Sequence, residues 1–361
     1  MNIYAFVRLN NIVHFSTGII IIIICLLIIL TFAPLLARMA EKNHLELLAR
    51  AIAYTGYVWM AFIFVFFCLS VFFDIIRLIF YLFHIHTNFP LINITFGLAV
   101  FLSLVFVIYG YVDARIIRTK KMEVVIGQAL PNGGKIRIVQ ISDIHVGLIV
   151  REKRLQNLID KIKEAEPDLL ISTGDFVDGE LNNVQPLTDL FKQINPKFGK
   201  YAIPGNHEYY AGIEKALHFT RLAGFDVLRD EAREVAGIKI IGLDDVTGRS
   251  GKIINGNFHS KTKAFSTDKD NKFLLLLRHQ PYVNRSDNFN LQLSGHTHNG
   301  QIYPFRYITR LFFKNNYGYY ELEKNKLLYV SGGAGTWGPP VRIFAPPEIT
   351  VIDLIGQKTH Q

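Results

Sequence analysis

Two kinds of hydrophobic pattern share this chain, and they change over about a third of the way along it. Up to Tyr111 the apolar residues come in long blocks. Gly18 to Ala37 carries no charge and includes Ile19 through Ile24 unbroken; Ala51 to Phe73, rich in Phe, and Leu91 to Tyr111 are equally uncharged. A helix that crosses the hydrocarbon core needs on the order of 20 apolar residues. A core helix of a soluble domain would show a polar face, which these blocks lack. Three transmembrane helices are expected, over residues 18–37, 51–73 and 91–111. Tyr54, Tyr57 and Trp59 near the start of the second, with Tyr109 and Tyr111 closing the third, fit an interfacial aromatic belt. Leu78 to Phe83 leaves room for a short or re-entrant fourth element. A cleaved signal peptide is the bland alternative for the first block. Its apolar stretch exceeds the usual h-region of about 7–15 residues, and Arg8 alone supplies basic charge before it.

Beyond residue 135 the apolar runs shorten. Ile136 to Ile141 and Leu169 to Ile171 flank Glu152 to Glu166, in which Leu155, Leu158, Ile159 and Ile162 recur at helical spacing. Strand, helix and strand in that order predict a βαβ unit with parallel strands. Lys200 to Ile203 reads as a third strand and Ile213 to Ala223 as a helix. After residue 235 strands dominate: Ile238 to Leu243, Phe273 to Leu277, Leu327 to Val330 and Ile349 to Leu354. The pattern is α/β, then β-richer. Residues 248–272, polar and bearing Lys252, Lys261 and Lys263, predict a solvated, mobile loop. The expected division is a transmembrane region with a basic juxtamembrane segment over 1–118 and a second domain over 122–361.

Charge adds an orientation. Lys and Arg number 39 against 30 Asp and Glu, a net charge of +9. With three spans, the amino terminus and the second loop share one side and carry Arg8 and Arg77. The other side carries Arg38, Lys42, Arg50, Arg115, Arg118, Lys120 and Lys121, which places the second domain on the cytoplasmic face of the inner (plasma) membrane. The cluster after the third span would sit against anionic lipid, so membrane lipids are expected partners. Nucleic acid is not: no recognition helix, aromatic–basic strand motif or zinc finger is present. Both cysteines, Cys25 and Cys68, lie in apolar blocks, which excludes a disulfide framework, a thiolate nucleophile and Cys-ligated zinc from the second domain.

Five short segments hold the unusual polar chemistry: Ser142-Asp143-Ile144-His145, Gly174-Asp175, Gly205-Asn206-His207-Glu208, His279-Gln280-Pro281 and Gly295-His296-Thr297-His298. Three of them follow apolar runs, the layout of loops at the carboxyl ends of buried strands, where side chains converge. Taken singly, a His at a strand end or an Asp before a loop is usually a hydrogen-bonding or turn residue. As an ordered set they bring together carboxylates, an amide and imidazoles, donors that suit a pair of divalent transition metals. Such a set implies a two-metal hydrolase.

The segments resemble, in order, the calcineurin-like metallophosphoesterase superfamily, whose pattern runs D-x-H, G-D, G-N-H-[DE], H, G-H-x-H. Gly300-Gln301-Ile302-Tyr303-Pro304 and the tail Gly332 to Glu348 are similar to a bacterial branch in which the catalytic domain follows membrane helices. The match covers about residues 135–352. The resemblance implies two facing mixed β-sheets flanked by helices. It implies Asp143, His145, Asp175 and His298 on one metal, Asp175, Asn206, His279 and His296 on the other, and Asp175 as the bridge. Two such cations polarise the phosphoryl group and lower the pKa of a shared water; Mn, Fe and Zn all tolerate this donor set. His207, with no metal assigned, would lie near the scissile phosphate and protonate the leaving oxygen, a task suited to an imidazole of pKa about 6.5.

Asp143 and His145, two apart, would face one side of a strict strand. His296 and His298 have the same spacing but different metals, which asks for a turn that Gly295 permits. Asp178, Asp244 and Asp245 read as turn or supporting residues, and strand alternation points Arg278 away from the site. His14, His44, His84 and His86 lie in or beside the membrane part and stay unassigned. Tyr303 to Tyr320, aromatic and bearing Arg306, Arg310 and Lys314, reads as an amphipathic surface helix packed on the domain, with a membrane-facing cap as the sharper alternative. The superfamily includes enzymes of lipid A biosynthesis that cleave the pyrophosphate of UDP-2,3-diacylglucosamine, so a phosphorylated, lipid-linked substrate is one expectation. A phosphoprotein phosphatase, a nucleotide phosphodiesterase and a non-catalytic metal-dependent membrane scaffold are the others.

Overall fold

The computed structural model describes residues 1–85, 90–130, 134–179, 185–248, 272–284 and 287–358. Of the loop expected over 248–272, residues 249–271 lie outside the described residues, as does His86. The chain divides into two units, Met1–Ala114 with Gly338–Phe344, and Arg115–Trp337 with Ala345–Gln361.

The first unit is helical: α1 (Asn2–Val13), α2 (Thr17–Lys42), α3 (Glu46–Leu82) and α4 (Leu91–Asp113). Long, apolar and uncharged over an 18-residue window or nearly so, α2, α3 and α4 can each cross a membrane. α3 has 37 residues, so Leu78 to Leu82 continue it instead of forming a separate element. Small residues set its packing: a Cβ added at Gly56 would lie 2.2 Å from Ala33 Cβ of α2, the close approach by which membrane helices gain dispersion energy. α1 was not legible in the pattern; Tyr4 donates to Asp74 of α3 at 2.7 Å and Arg8 pairs with the same carboxylate. His14, His44 and His84 each adopt a left-handed φ just past a helix end, which accounts for them structurally. Gly110 is small for contact reasons too, since a Cβ there would meet Val341, Ile343 and the Arg342 carbonyl within 3.0 Å.

The second unit contains two six-stranded sheets. One has the order β1 (Arg118–Leu130), β12 (Glu348–Lys358), β2 (Lys135–Ile141), β3 (Leu169–Ser172), β4 (Lys200–Ala202), β5 (Asp226–Val227). The other runs β10 (Gly318–Glu323), β11 (Lys326–Val330), β9 (Leu291–Ser294), β8 (Phe273–Leu277), β7 (Ile238–Gly242), β6 (Glu231–Val235). Side chains alternate across each strand. On β2, Ile136 and Ile138 enter a core shared with Phe273, Leu275, Leu277, Leu291 and Leu293 of the second sheet. Val139 and Ile141 instead enter a core with Leu155, Leu158, Ile159 and Ile162 of α5 (Glu152–Glu164) and with Leu217 of a later helix. Both faces of β8 are covered, which is why its sequence Phe273–Leu277 reads as an unbroken apolar run, while β2 is interrupted by Arg137 and by the buried Gln140.

β1 is a strand that the hydrophobic pattern did not show: Arg118, Lys120 and Lys121 form its start, parallel to β12 in register Arg118↔Glu348. Polar residues on an exposed edge strand hide its period. The helix expected over Tyr303 to Tyr320 is shorter: it spans Arg306–Phe312, none of its residues is buried, and Gly318, at φ +92°, opens β10.

Candidate metal centre

Every ligand candidate follows the carboxyl end of a strand. β2 leads to Asp143 and His145, β3 to Asp175, β4 to Asn206, β8 to His279, and β9 to His296 and His298. The two sheets are tied at these ends: Gln140 of β2 donates to the Ser294 carbonyl of β9 at 3.0 Å, and the His296 N–H donates to Asp143 Oδ1 at 2.9 Å. Three further helices, α6 (Thr188–Lys192), α7 (Asn206–Ala211) and α8 (Ile213–Leu222), fall between β3 and β5 in the chain, and Phe191 of α6 and Leu217 of α8 join the core that holds α5.

The donors form three overlapping groups, each with its atoms mutually within 4.8 Å: Asp143, His145 and His298; Asp175, His279 and His296; and His145, Asp175 and His207, which places His207 beside the other two. In the first, His145 Nε2 lies 3.0 Å from His298 Nε2, which is 3.5 Å from Asp143 Oδ1. In the second, His279 Nε2 lies 3.1 Å from Asp175 Oδ2, 3.2 Å from His296 Nδ1 and 3.2 Å from Asn206 Oδ1. Asp175 Oδ2 is also 3.8 Å from His145 Nε2, so this one carboxylate adjoins both groups. These spacings fit metal ions: two donors each about 2.1 Å from one ion and at right angles to it stand about 3 Å apart. His279 carries a direct signature of a ligand. Its Nδ1 donates to the Thr173 carbonyl at 2.8 Å, which orients the ring and turns Nε2 toward the other donors.

The loops reach this geometry through the backbone. Asp143, His145, Asp175, His296 and His298 all have φ between 50° and 72°, a left-handed region that costs a non-glycine residue about 1–3 kcal/mol. Asp143 and His145 therefore share a side through two left-handed residues after the strand, not through strand alternation. The turn at His296 and His298 is likewise made by those residues, and Gly295 serves a different end. A Cβ there would lie 2.0 Å from Ser142 Oγ and 2.3 Å from Asp143 Oδ2. Gly205 is constrained in the same way, 2.2 Å from Asp175 Oδ1. The tail supports the first loop: Ala334 and Gly335 donate to the carbonyls of Ser142 and Asp143 at 2.8 and 2.9 Å.

Two supporting residues emerge, Glu208, which had no expected role, and Asp178, expected as a turn or supporting residue. Glu208, buried, accepts from the backbone N–H groups of Asp175, Phe176, Val177 and Gly205 at 2.6 to 3.2 Å, holding the two central loops together. Asp178 Oδ1 lies 3.0 Å from His207 Nδ1. That contact is a supporting role, and only the fold names the ring it supports. Asp244 instead binds Tyr209 and Arg229, Asp245 binds Gln280, and Arg278 pairs with Asp287 at 2.6 Å, away from the donors.

Electrostatics sort the imidazoles. Burial drives His145 down to about 4 and His296 to about 3, with help from His207 and His279 respectively, so both offer lone pairs. Burial also depresses His207, but the hydrogen bond to Asp178 and the charges of Asp175, Asp178 and Glu208 outweigh it and raise it to about 9. Burial would raise Asp175 too; His279 overcomes it and holds the carboxylate ionised.

The comparisons agree with this arrangement. The family profile for calcineurin-like phosphoesterases matches residues 136–300. An uncharacterized metallophosphoesterase of Aquifex aeolicus (strain VF5) is 36% identical over 262 residues, 71% of this chain and 99% of its own. The uncharacterized metallophosphoesterase YkuE of Bacillus subtilis (strain 168) is 33% identical over 267 residues, 68% of this chain and 89% of its own. A transmembrane protein with metallophosphoesterase domain from Danio rerio is 28% identical over 271 residues, 71% of this chain and 62% of its own. The chain belongs to the calcineurin-like metallophosphoesterase family. It is a membrane protein and a metal-dependent hydrolase of phosphate esters.

Proposed function

We propose that this protein uses two divalent ions, of Mn, Fe or Zn, to cut a phosphoester or pyrophosphate bond of an amphiphilic substrate at the cytoplasmic face of the inner membrane. The observation that carries the reading is the pair of donor groups meeting at Asp175. Asp143, His145, Asp175 and His298 would hold one ion, and Asp175, Asn206, His279 and His296 the other. When bound, such ions neutralise phosphoryl charge and supply a water of lowered pKa.

The chain's own residues do the rest. Asn206 is a neutral donor, which keeps the site attractive to an anion. His207, raised by Asp178, keeps its proton at neutral pH and can deliver it to the leaving oxygen. Its ring is flanked by the exposed Tyr210 and Trp337, with centroids at 5.4 and 6.3 Å, while Phe313 packs on His296 at 5.0 Å. An apolar rim around a phosphate-cleaving centre suits a lipid-linked substrate such as UDP-2,3-diacylglucosamine. The cytoplasmic orientation is supported by Arg38, Lys42, Arg50, Arg115, Arg118, Lys120 and Lys121 on one side against Arg8 and Arg77 on the other.

The test is hydrolysis of bis-p-nitrophenyl phosphate by the full-length protein in vesicles, with Mn²⁺ or with chelator, beside His207→Ala and Asp175→Asn. Metal-dependent turnover reduced by about 10²-fold or more in both variants is expected. Turnover indifferent to chelator and to both substitutions would contradict the reading. Acylated and deacylated nucleotide sugars then address the substrate, with the acylated form expected to be preferred.

A further inference from the structure

We propose that the segment from Tyr303 to Lys314, together with Trp337, is a membrane-contact surface of the catalytic unit, separate from the three spans. It would enter the headgroup region of a bilayer with its apolar side chains, and Arg310 and Lys314 would lie at the anionic phosphates.

The segment carries α9 (Arg306–Phe312), and its apolar side chains face outward. Leu311 is 82% exposed and Phe312 74%, and Tyr303, Phe305, Tyr307 and Ile308 are exposed as well. Ile308, Leu311 and Phe312 stand at i, i+3 and i+4, so they share one side of the helix. Arg310, on the opposite side of the helix, and Lys314, two residues past its end, are exposed as well. Solvated aromatic and aliphatic residues flanked by cations are the composition of a helix that lies in a membrane interface.

The segment is also held rigidly at its base. Arg306 donates to Asn299 Oδ1 at 2.8 Å, and a Cβ at Gly300 would lie 2.3 Å from Arg306 Cα. Gln301 and the Trp337 backbone exchange hydrogen bonds of 2.8 and 2.9 Å, which brings the half-exposed Trp337 indole to the same foot. An apolar face this firmly presented to solvent loses free energy until something covers it.

The occupant is a bilayer for two reasons. The chain carries its own spans, so lipid is always present at high effective concentration, and the cations complement anionic headgroups, at about 1 kcal/mol per basic residue near the surface. A second copy is disfavoured by size, because a stable protein interface needs about 800 Å² from each partner and α9 is 7 residues long. The helix runs directly into Phe313, which packs on His296, so the surface adjoins the metal centre. The inference itself rests on exposure and charge, not on the hydrolytic reading.

The experiment uses the full-length chain with Cys25→Ser and Cys68→Ser, carrying Leu311→Cys or Phe312→Cys labelled with an environment-sensitive fluorophore. Both sites are exposed, so neither substitution removes a core contact. The protein is reconstituted in phosphatidylcholine–phosphatidylglycerol vesicles with or without nitroxide-labelled acyl chains. At both positions the emission should be blue-shifted and quenched at least twofold more than from the same label at Glu164→Cys on α5. Quenching no greater than at Glu164 would overturn the proposal. Disulfide-linked dimers of the unlabelled Leu311→Cys protein, without lipid quenching of the label, would overturn it in favour of a second copy.

Discussion

Asp178 Oδ1 and His207 Nδ1 lie 3.0 Å apart, and this contact fixes which nitrogen of His207 is turned toward the donor groups. The hydrogen bond and the carboxylate charge act together against burial, which would otherwise depress the imidazole. Asp178→Asn should therefore lower turnover roughly tenfold or more, part of the about 10²–10⁴ that a positioned general acid contributes. The protonated ring is the useful form, so activity falls on the alkaline side as His207 loses its proton. Removing the Asp178 charge moves that alkaline limb to lower pH, and a pH–rate profile of wild type and variant checks the direction. An unchanged limb would remove His207 from the role of acid.

Gly205 stands where a Cβ would lie 2.2 Å from Asp175 Oδ1 and 2.6 Å from Asp175 N. Gly205→Ala must displace the shared carboxylate, with an expected loss in metal affinity on the order of 10–100-fold. Gly127→Ala on β1, with nothing within 4 Å of the added carbon, should leave affinity unchanged. Metal titration of the two proteins compares them directly.

Glu208 accepts four backbone N–H groups. Glu208→Gln replaces a buried acceptor with a group that is half donor, leaving N–H groups unpaired at about 1–3 kcal/mol. Thermal unfolding of the reconstituted protein should show a lower Tm, and hydrogen exchange should rise first at Phe176 and Val177.

Metal removal should loosen the same loops. Left-handed conformations at five non-glycine residues persist only where their surroundings hold them, and an ion held at 100 times its Kd would contribute about 2.7 kcal/mol to the folded state. Chelator should then lower Tm and raise exchange across 142–146 and 295–301 while leaving β8 protected. Equal protection with and without metal would mean that the protein scaffold alone sets the loops.

Much of this was legible from local pattern. The run at Phe273 to Leu277 announces a strand because both its faces are buried, and the ligand motifs stand at strand ends. β1 stayed hidden because the start of this edge strand is exposed on both faces, so Arg118, Lys120 and Lys121 show no apolar alternation. α1 is short, at 12 residues, and is anchored through Tyr4 and Arg8 to Asp74, a partner that only the fold brings to it. The aromatics of Tyr303 to Tyr320 suggest one helix, yet the helix ends at Phe312 with Phe313 extended, and Gly318 opens a hairpin. Asp178 and Glu208 acquire meaning only from partners brought by the fold, a ring from another loop and a set of backbone N–H groups.

The central claim is that Asp175 joins two metal sites. The most direct measurement is metal content of the purified full-length protein, wild type against Asp175→Asn and His298→Ala, with bis-p-nitrophenyl phosphate hydrolysis assayed on the same samples. The account predicts two equivalents in wild type, one retained in His298→Ala, and loss of both tight binding and turnover in Asp175→Asn. Full metal content and turnover in Asp175→Asn would contradict it.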